Sequence, residues 1–237
     1  MTATIRIGTA GWTIPVHCAG AFPGDGPILA RYARVLSAVE INSAFYRPHQ
    51  PKTYQRWAAT VPADFRFAVK VPKAITHVAR LRDCTPLAET FVAEISNLGK
   101  KLGPLLLQLP PSFAFDQETV GPFCEMLSQD GRFQIACEPR HATWFTPDVE
   151  RWLADRRIAR VAADPACHPS AAEPGGWAGL SYYRWHGSPK MYYSEYAPHT
   201  LATLRDRMER DGAIETWCIF DNTASGAALP NALALRR

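Results

Sequence analysis

The sequence of 237 residues predicts an α/β protein folded as a closed (β/α)8 barrel of the TIM type. Eight short runs rich in β-branched and aromatic residues alternate with longer helical stretches along the whole chain. Within these runs, one set of alternate residues is apolar and the other carries isolated polar groups. Neither a GxGxxG fingerprint nor a P-loop motif occurs, so the barrel is favoured over an open doubly wound sheet.

The predicted strands are short, and most of them end in polar residues. They are Thr4–Thr9, Ala38–Ser43, Arg66–Val71, Pro104–Leu109, Phe133–Glu138, Arg160–Asp164, Leu180–His186 and Glu215–Asn222. Lengths of about 5–8 residues are typical of buried strands in α/β proteins.

Helices are predicted between the strands. They are Pro27–Ser37, Lys52–Thr60, Pro86–Lys101, Gln117–Gln129, Pro147–Arg157, Glu195–Arg210 and Ser225–Arg237. Three of them begin near a proline, whose missing N–H costs nothing at a helix start. The segment Cys167–Trp177 is rich in Pro, Gly and Ala, so we expect the helix after strand six to be degenerate or missing.

Composition limits the class of protein. Hydrophobic residues make up 47% and charged residues 20%, which allows a large core, and no linker divides residues 1–237, so we expect a single domain. The net charge of +4 is too small to indicate nucleic-acid binding but fits an anionic ligand. No membrane-spanning run and no secretory signal is visible, so we expect a cytoplasmic protein without a membrane partner. The oligomeric state is left open.

The alternation within the strands predicts where the polar side chains point. In a barrel, one set of alternate residues faces the helices and the other faces the axis. Glu40, Lys70, Gln108, Glu138 and Arg184 all belong to the polar set, so we expect them to surround one axis.

Active sites of such barrels lie at the carboxyl-terminal ends of the strands. We expect the catalytic residues there to be Glu138, Lys70, His186 and Asp164. The residues expected to bind substrate are Thr9, Trp12, Glu40, Asn42, Tyr46, His77, Gln108, Arg140, His141, Arg184, Gly187, Asp221, Asn222 and Gly226.

Several roles remain open for these residues. Glu138 is a candidate general acid or base, and Lys70 is a candidate for stabilising negative charge, for carrying a proton or for forming a Schiff base. The alternative is a buried ion-pair network that only fills the axis, with Glu40–Lys70 and Glu138–Arg184 as pairs. A divalent metal is not favoured, because no HExxH or HxH spacing occurs, and the cofactor is left unknown.

An anion site is better supported by the loops after the last two strands. Phosphate sites in TIM-type barrels use these loops together with a helix N-terminus. Here they contain Gly187 and the stretch 222–227, which is small, includes Gly226 and leads into a helix. The alternative is an ordinary turn that caps the helix.

Motifs in the same order along almost the whole chain resemble one family. They are Gly8-Thr9-Ala10-Gly11-Trp12, Val39-Glu40-Ile41-Asn42 with Phe45-Tyr46-Arg47, Phe67 to Lys70 with Ile75-Thr76-His77, residues 98–104 with Gln108-Leu109-Pro110-Pro111, Glu138 with Arg140-His141 and Trp144, Arg184-Trp185-His186-Gly187, and Asn222 with Gly226 and Asn231-Ala232. They resemble the YecE-like family, domain of unknown function 72. This resemblance implies a TIM barrel and no established activity, although likeness to metal-dependent phosphodiester-cleaving barrels suggests a nuclease-like one.

Two residues depart from that family pattern. Pro139 stands between Glu138 and Arg140, where an apolar or aromatic residue other than proline is expected, and it removes a backbone donor at the strand end. Asp221 stands where Asn is usual before Asn222, and it adds a carboxylate near the expected site.

The leading functional hypothesis is an enzyme with acid–base or hydrolase-type chemistry on a small anionic, sugar-like ligand that is phosphorylated or carboxylated. In it, Glu138 acts as acid or base, Lys70 stabilises negative charge, and His141, His186 and Arg184 hold the substrate. One alternative is a metal-dependent phosphodiesterase acting on nucleic acid, which is a less favoured partner. The other is a non-catalytic anion-binding module.

Overall fold

The computed structural model describes residues 4–128, 131 and 133–236. Its strands within these residues are β1 (Thr4–Thr9), β2 (Ala38–Ile41), β3 (Arg66–Lys70), β4 (Leu102–Gln108), β5 (Ile135–Glu138), β6 (Ile158–Arg160), β7 (Ala162–Asp164), β8 (Gly175–Gly176), β9 (Leu180–Trp185) and β10 (Glu215–Phe220). Strand β1 has the bounds that the sequence predicts, and most of the others differ from prediction by one or two residues.

The described α-helices alternate with the strands. They are α1 (Ile28–Ala33), α2 (Pro51–Thr60), α3 (Thr85–Ile95), α4 (Gln117–Ser128), α5 (Pro147–Asp155), α6 (Pro198–Arg210) and α7 (Ala228–Arg236). The helix ends predicted at Gln129 and Arg237 lie outside the described residues. In the part of the chain that is described, no helix is both long enough and apolar enough to cross a bilayer.

Helix α5 shows how the local sequence sets a helix start. Pro147 occupies its first turn, and the Thr146 side chain accepts a hydrogen bond from the backbone N–H of Val149 at 3.3 Å. The cap satisfies one of the N–H groups that a helix start leaves without a partner. Val149 and Leu153 then bury one face of the helix in the core.

The strands form two sheets, and the prediction of a closed (β/α)8 barrel is wrong. One sheet has the order β1-β10-β9-β7 with all pairs parallel. The other has the order β2-β3-β4-β5-β6-β8, in which only the β6–β8 pair is antiparallel among the described strands. The fold is therefore α/β with a four-stranded and a six-stranded sheet.

The strand pairing is interrupted between the two sheets at two places. The first arises because the predicted sixth strand is split. Strand β6 pairs with β5, whereas β7 pairs with β9, and the chain passes from one sheet to the other at Val161. The other edge of β6 is taken by β8, which places Ala159 opposite Gly176. Because β8 occupies that edge, β6 and β9 form no ladder within the described residues.

The segment between β7 and β9 contains a 3-10 turn (Pro169–Ala172) and β8, with no α-helix in this fully described stretch. Arg160 fixes it against the neighbouring helix. Its guanidinium donates to Glu150 Oε2 at 3.0 Å, to Ser170 O at 2.7 Å and to Glu173 O at 3.1 Å. These bonds hold the segment as an irregular loop.

The second interruption of the strand pairing lies between β1 and β2, which belong to different sheets. Across the described residues, a single bridge joins Ala10 to Glu40, and the backbone N–H of Gly11 donates to Glu40 O at 2.9 Å. The two backbones approach closely because Gly8 has no side chain. A Cβ at this position would lie 2.1 Å from Ala38 O.

The alternation along the strands separates two apolar layers. One buried cluster lies between the sheets and consists of Ala38, Ala68, Leu106, Ala136, Ala159, Val161, Leu180, Tyr182, Trp217 and Ile219. The other, larger cluster packs the opposite strand faces against the helices. Two residues after members of the inner cluster come Glu40, Lys70, Gln108, Glu138, Arg184 and Asp221. The polar layer therefore lies directly above the inner apolar layer, at the carboxyl ends of the strands.

The close approach at Gly8 gives a prediction. Gly8→Ala places a methyl group against the Ala38 carbonyl, which is backbone and cannot rotate away. We expect the variant to lose at least about 2 kcal/mol of unfolding free energy in urea denaturation, because overpacking a fixed contact typically costs 1–3 kcal/mol. Gly20→Ala is the matched control, since a Cβ there meets nothing within 4 Å. Equal stability of the two variants would contradict this account.

Candidate functional site

The polar layer is centred on Arg184, which is fully buried on β9. Its guanidinium donates to Glu40 Oε1 at 2.8 Å and Oε2 at 3.0 Å, to Glu138 Oε2 at 2.7 Å and to Asp221 Oδ2 at 3.0 Å. We call these four residues the Arg184 cluster. Burial alone would lower the pKa of Arg184, but the three carboxylates raise it well above its usual value. The cluster therefore contains a permanent cation.

Glu138 ends β5 and is held from several sides. Gln108 Nε2 donates to both of its carboxylate oxygens at 3.0 Å, and Arg140 donates to Oε1 at 2.8 Å and 3.2 Å. Burial would raise the pKa of Glu138, but Arg184, His186 and Arg140 outweigh burial and hold it well below its usual range. Glu138 is therefore an anion that does not exchange protons near neutral pH.

His186 follows β9 and lies between two carboxylates. Its Nδ1 lies 3.0 Å from Asp221 Oδ2, and its Nε2 lies 3.4 Å from Glu138 Oε1 without hydrogen-bond geometry. Burial would lower the pKa of His186, but Asp221 and Glu138 raise it above its usual value. Burial would raise the pKa of Asp221, and Arg184 and His186 lower it. His186 is therefore an oriented imidazole whose protonated form is favoured by the two carboxylates.

Lys70 ends β3 and has no counter-ion of its own. Its Nζ lies 4.0 Å from the centroid of the Phe45 ring, and no carboxylate of the described chain is within 4.0 Å of it. Of the two ion pairs in the alternative interpretation, Glu40–Lys70 is thus absent, with both oxygens of Glu40 bound by Arg184, whereas Glu138–Arg184 is present at 2.7 Å. Burial and Arg184 lower the pKa of Lys70 to about 8, against the opposing carboxylates of the cluster.

His77 contacts the same aromatic ring as Lys70. The centroids of His77 and Phe45 are 5.1 Å apart in an edge-on contact, and His77 Nδ1 is 2.9 Å from Thr76 Oγ1. Burial lowers the pKa of His77, and Lys70 and other nearby cations lower it further. His77 is therefore neutral at pH 7.

A cleft of about 260 Å³ opens next to the Arg184 cluster. Glu138, Arg140 and His186 line it, together with Cys167 and Met191. Larger cavities lie between helices on the outer surface, including one of about 480 Å³ beside α6 and α7. That outer cavity contains none of the polar layer, so the smaller cleft is the one beside the chemistry.

Other residues expected at the site support its surroundings. Thr9 Oγ1 donates to Gly11 O at 2.6 Å, and Trp12 packs edge-on against Trp57 at 5.0 Å. Asp164 does not reach the Arg184 cluster, since its Oδ1 accepts from Tyr196 OH at 2.7 Å. These residues hold the strand ends in place.

Three more expected residues follow the strands β2 and β5. Asn42 Oδ1 is enclosed and has no donor among the described residues. Tyr46 is 74% exposed, so its ring is free to contact a ligand. His141 caps a short turn by accepting from the backbone N–H of Thr143 at 3.3 Å, which keeps it out of the Arg184 cluster.

In the glycine-containing loops, amide groups that the sequence analysis expects to bind an anion donate hydrogen bonds within the protein instead. Gly187 N donates to Tyr196 OH at 2.8 Å, and Gly226 N donates to Thr223 O at 3.1 Å. Asn222 Nδ2 donates to Ser194 O at 2.8 Å. The phosphate site expected at these loops thus has fewer free donors than a helix start provides.

Sequence reasoning missed two contacts of the site. Tyr182 OH donates to Glu40 Oε2 at 3.0 Å, and Phe45 carries Lys70 on its ring. The position of Tyr182, two residues before Arg184 on the same face of the strand, is a signal that could have identified it. Phe45 lies in a 3-10 turn (Ser43–Phe45), where alternation gives no direction.

Within the described residues, no group of three or more His, Cys, Asp and Glu side chains is placed to hold a metal ion. Arg184 binds the carboxylates of both Glu138 and Asp221. The site therefore offers guanidinium-bound carboxylates in place of free metal ligands.

Comparison with known proteins identifies the family. The family described as "Protein of unknown function DUF72" matches residues 6–237. The chain belongs to the DUF72 family. This confirms the likeness to YecE seen in the sequence motifs. UPF0759 protein YecE of Escherichia coli K12 is 34% identical over 141 residues, which cover 57% of this chain and 52% of YecE.

Further relatives match the chain over a longer span. UPF0759 protein YunF of Bacillus subtilis is 25% identical over 176 residues, covering 72% of this chain and 61% of YunF. The chain thus spans about half to three fifths of the curated relatives it matches. A DUF72 crystal structure from Thermotoga maritima is 25% identical with a TM-score of 0.78, each chain being 98% covered. A DUF72 crystal structure from Enterococcus faecalis is 22% identical with a TM-score of 0.80. The match covers 98% of this chain and 94% of that chain.

The neutralising role of Arg184 can be tested by substitution. Arg184→Met leaves three buried carboxylates without their shared cation. We expect a loss of about 3–5 kcal/mol of unfolding free energy at pH 7, measured by urea denaturation. The wild type loses stability as the pH falls, because the lowered pKa values of Glu138 and Asp221 favour the folded state only while they are ionised. The carboxylates that lose their cation in the variant take up protons more readily. We therefore expect the difference in unfolding free energy between wild type and variant to be smaller at pH 5 than at pH 7.

Arg151→Met is the control for removing an arginine. Arg151 pairs with Asp148 on the surface of α5, where both side chains are exposed. We expect a change within about 0.5 kcal/mol. An Arg184→Met protein as stable as this control at pH 7 would contradict the role of Arg184.

Proposed function

We propose that this protein is an enzyme that performs acid–base chemistry on a small ligand carrying a phosphate or carboxylate group, bound at the carboxyl ends of the strands. The observation that carries the proposal is Lys70. It is a buried ammonium whose Nζ has no carboxylate within 4.0 Å among the described residues. Burying a charge without a partner is costly, so a bound anion is the natural counter-ion.

The charge balance of the polar layer supports an anionic ligand. The polar layer, together with Arg140 and His186 that contact it, has four basic side chains, Lys70, Arg140, Arg184 and His186, and three carboxylates. Arg184 binds all three carboxylates, which leaves the other cations less than fully neutralised. Arg140 lines the cleft with about a quarter of its side chain exposed, so it is placed to contact a ligand.

His186 supports acid–base chemistry better than Glu138 does. Asp221 holds the imidazole through Nδ1, Nε2 is enclosed and has no hydrogen-bond partner within the described chain, and the ring lines the cleft. An imidazolium oriented by a carboxylate is a suitable general acid. We therefore assign proton donation to His186, and we assign to Glu138 the positioning of Arg140 and His186.

The alternatives differ in what they require. A metal-dependent phosphodiesterase acting on nucleic acid needs free carboxylate or imidazole ligands, and Arg184 occupies the carboxylates. A non-catalytic anion-binding module needs the same cations as the enzyme. Turnover of phosphorylated or carboxylated sugar-like compounds, screened by product release, distinguishes the enzyme from the module.

Anion binding should depend on Lys70. We expect Lys70→Met to bind inorganic sulfate at least about tenfold more weakly than the wild type at pH 7 in isothermal titration calorimetry, a loss of about 1.4 kcal/mol. Wild-type affinity should fall as the pH rises through about 8, because Lys70 then loses its proton. Lys100→Met is the matched control, since Lys100 is exposed before the amino end of β4. Wild-type affinity in Lys70→Met would overturn the proposal.

The stability of Lys70→Met distinguishes this role from a structural ion pair. The folded protein lowers the pKa of Lys70, so the unfolded chain binds its proton more tightly. We expect Lys70→Met to melt at the same temperature as the wild type or higher at pH 7. Wild-type stability should rise between about pH 8 and the pKa of an unfolded lysine, near 10.4, and the variant should lack this rise. A lower melting temperature of the variant at pH 7 would indicate a structural cation.

A further inference from the structure

The placement of Lys70 suits it for covalent chemistry as well as for holding charge. We propose that Lys70 Nζ forms an imine with the carbonyl carbon of a ligand that is an aldehyde or ketone bearing an anionic group. This inference rests on the proposed function, because it takes the same ligand site and names the reactive group of the ligand.

The surroundings of Lys70 Nζ resemble those that activate an amine. The Phe45 ring covers one side of it, and no carboxylate of the described chain lies within 4.0 Å of Nζ. Nζ has no hydrogen-bond acceptor there, yet it is not among the fully enclosed polar atoms, so it keeps a small exposed surface. An amine in an apolar setting beside another cation is the arrangement found in Schiff-base lysines.

Arg184 supplies that second cation and cannot move away. Hydrogen bonds to three carboxylates fix its guanidinium in the interior. Together with burial, this fixed charge lowers the pKa of Lys70 to about 8. About one tenth of Lys70 is then a neutral amine at pH 7, which is the form that attacks a carbonyl.

The reaction balances without an oxidant or reductant. The lone pair of Nζ attacks the carbonyl carbon, the C=O π electrons move to oxygen, and a proton passes from nitrogen to that oxygen to give a carbinolamine. The nitrogen lone pair then forms the C=N bond as the hydroxyl group leaves with a proton as water. Amine and carbonyl thus give an imine and one water.

Two neighbouring groups serve these steps. His77 shares the Phe45 ring with Lys70 and is neutral, so it is placed to accept the proton released by the amine. Arg140 also lowers the pKa of His77, and its partly exposed side chain lines the cleft. Arg140 therefore binds the anionic group while Lys70 reacts with the carbonyl.

Borohydride trapping tests the proposal. Wild-type protein is incubated with pyruvate and sodium cyanoborohydride, and tryptic peptides are analysed by mass spectrometry. We expect the reduced pyruvate adduct at Lys70 to exceed that at the exposed Lys100 at least about tenfold at equal time. Acetone, a ketone without the anionic group, should label Lys70 at least about tenfold less than pyruvate does.

Lys70→Arg separates the two levels of the proposal. It keeps a cation and removes the nucleophile, so we expect sulfate affinity within about threefold of the wild type and no adduct at position 70. Sulfate binding by the wild type without preferential labelling of Lys70 would overturn imine formation and leave the anion site intact. Absence of both sulfate binding and labelling would overturn the proposed function itself. Lys70→Met serves as the second variant without a nucleophile.

Discussion

Three carboxylates from three different strands converge on the buried guanidinium of Arg184, and the polar interior depends on this arrangement. Glu40 and Glu138 belong to the six-stranded sheet, whereas Arg184 belongs to the four-stranded sheet and Asp221 directly follows its strand β10. The hydrogen bonds of Arg184 therefore join the two sheets above their shared apolar layer. Removing one member of such a group leaves uncompensated charge in a medium that solvates it poorly. Arginine suits this position because its planar group donates in several directions at once.

Because Arg184 binds all three carboxylates, it also determines which side chains remain available to a ligand. Glu138 and Asp221 both accept hydrogen bonds from Arg184, and they also contact Arg140 and His186 directly and orient them at the cleft. The free chemistry therefore resides in the cations. Lys70 is the extreme case, because alternation brings it inward and Arg184 has already bound the carboxylates that would neutralise it. A site built in this way favours ligands that bring their own negative charge.

Sequence reasoning succeeded where a period of two determines direction. The polar residues two positions beyond Ala68, Leu106 and Ala136 all point inward, as their alternation predicts. It failed where the partner of a charged side chain depends on how strands distant in sequence are arranged in the fold. Alternation shows that Glu40 and Lys70 share a face but not that Arg184 reaches Glu40 first.

The split of the sixth strand was equally invisible in the sequence. Within the run Arg160–Asp164, residues 161–163 are small and apolar, so no residue marks the change of partner from β5 to β9. The same uniformity hid the direction of Asp164. Its neighbour in the ladder is Trp185, which belongs to the helix-facing layer, and its side chain accordingly bonds to Tyr196. Glycine-rich β8 gave no strand signal at all, although it is what prevents closure at β6.

Glu40 joins two features that otherwise look separate. Its side chain is an anchor of the charge network, and its backbone oxygen accepts from Gly11 at the bridge between β1 and β2. That bridge is the sole ladder contact across this seam in the described chain. Electrostatics and architecture therefore meet in one residue. Displacing the Glu40 carboxylate from Arg184 would therefore also disturb the backbone contact that joins β1 to β2.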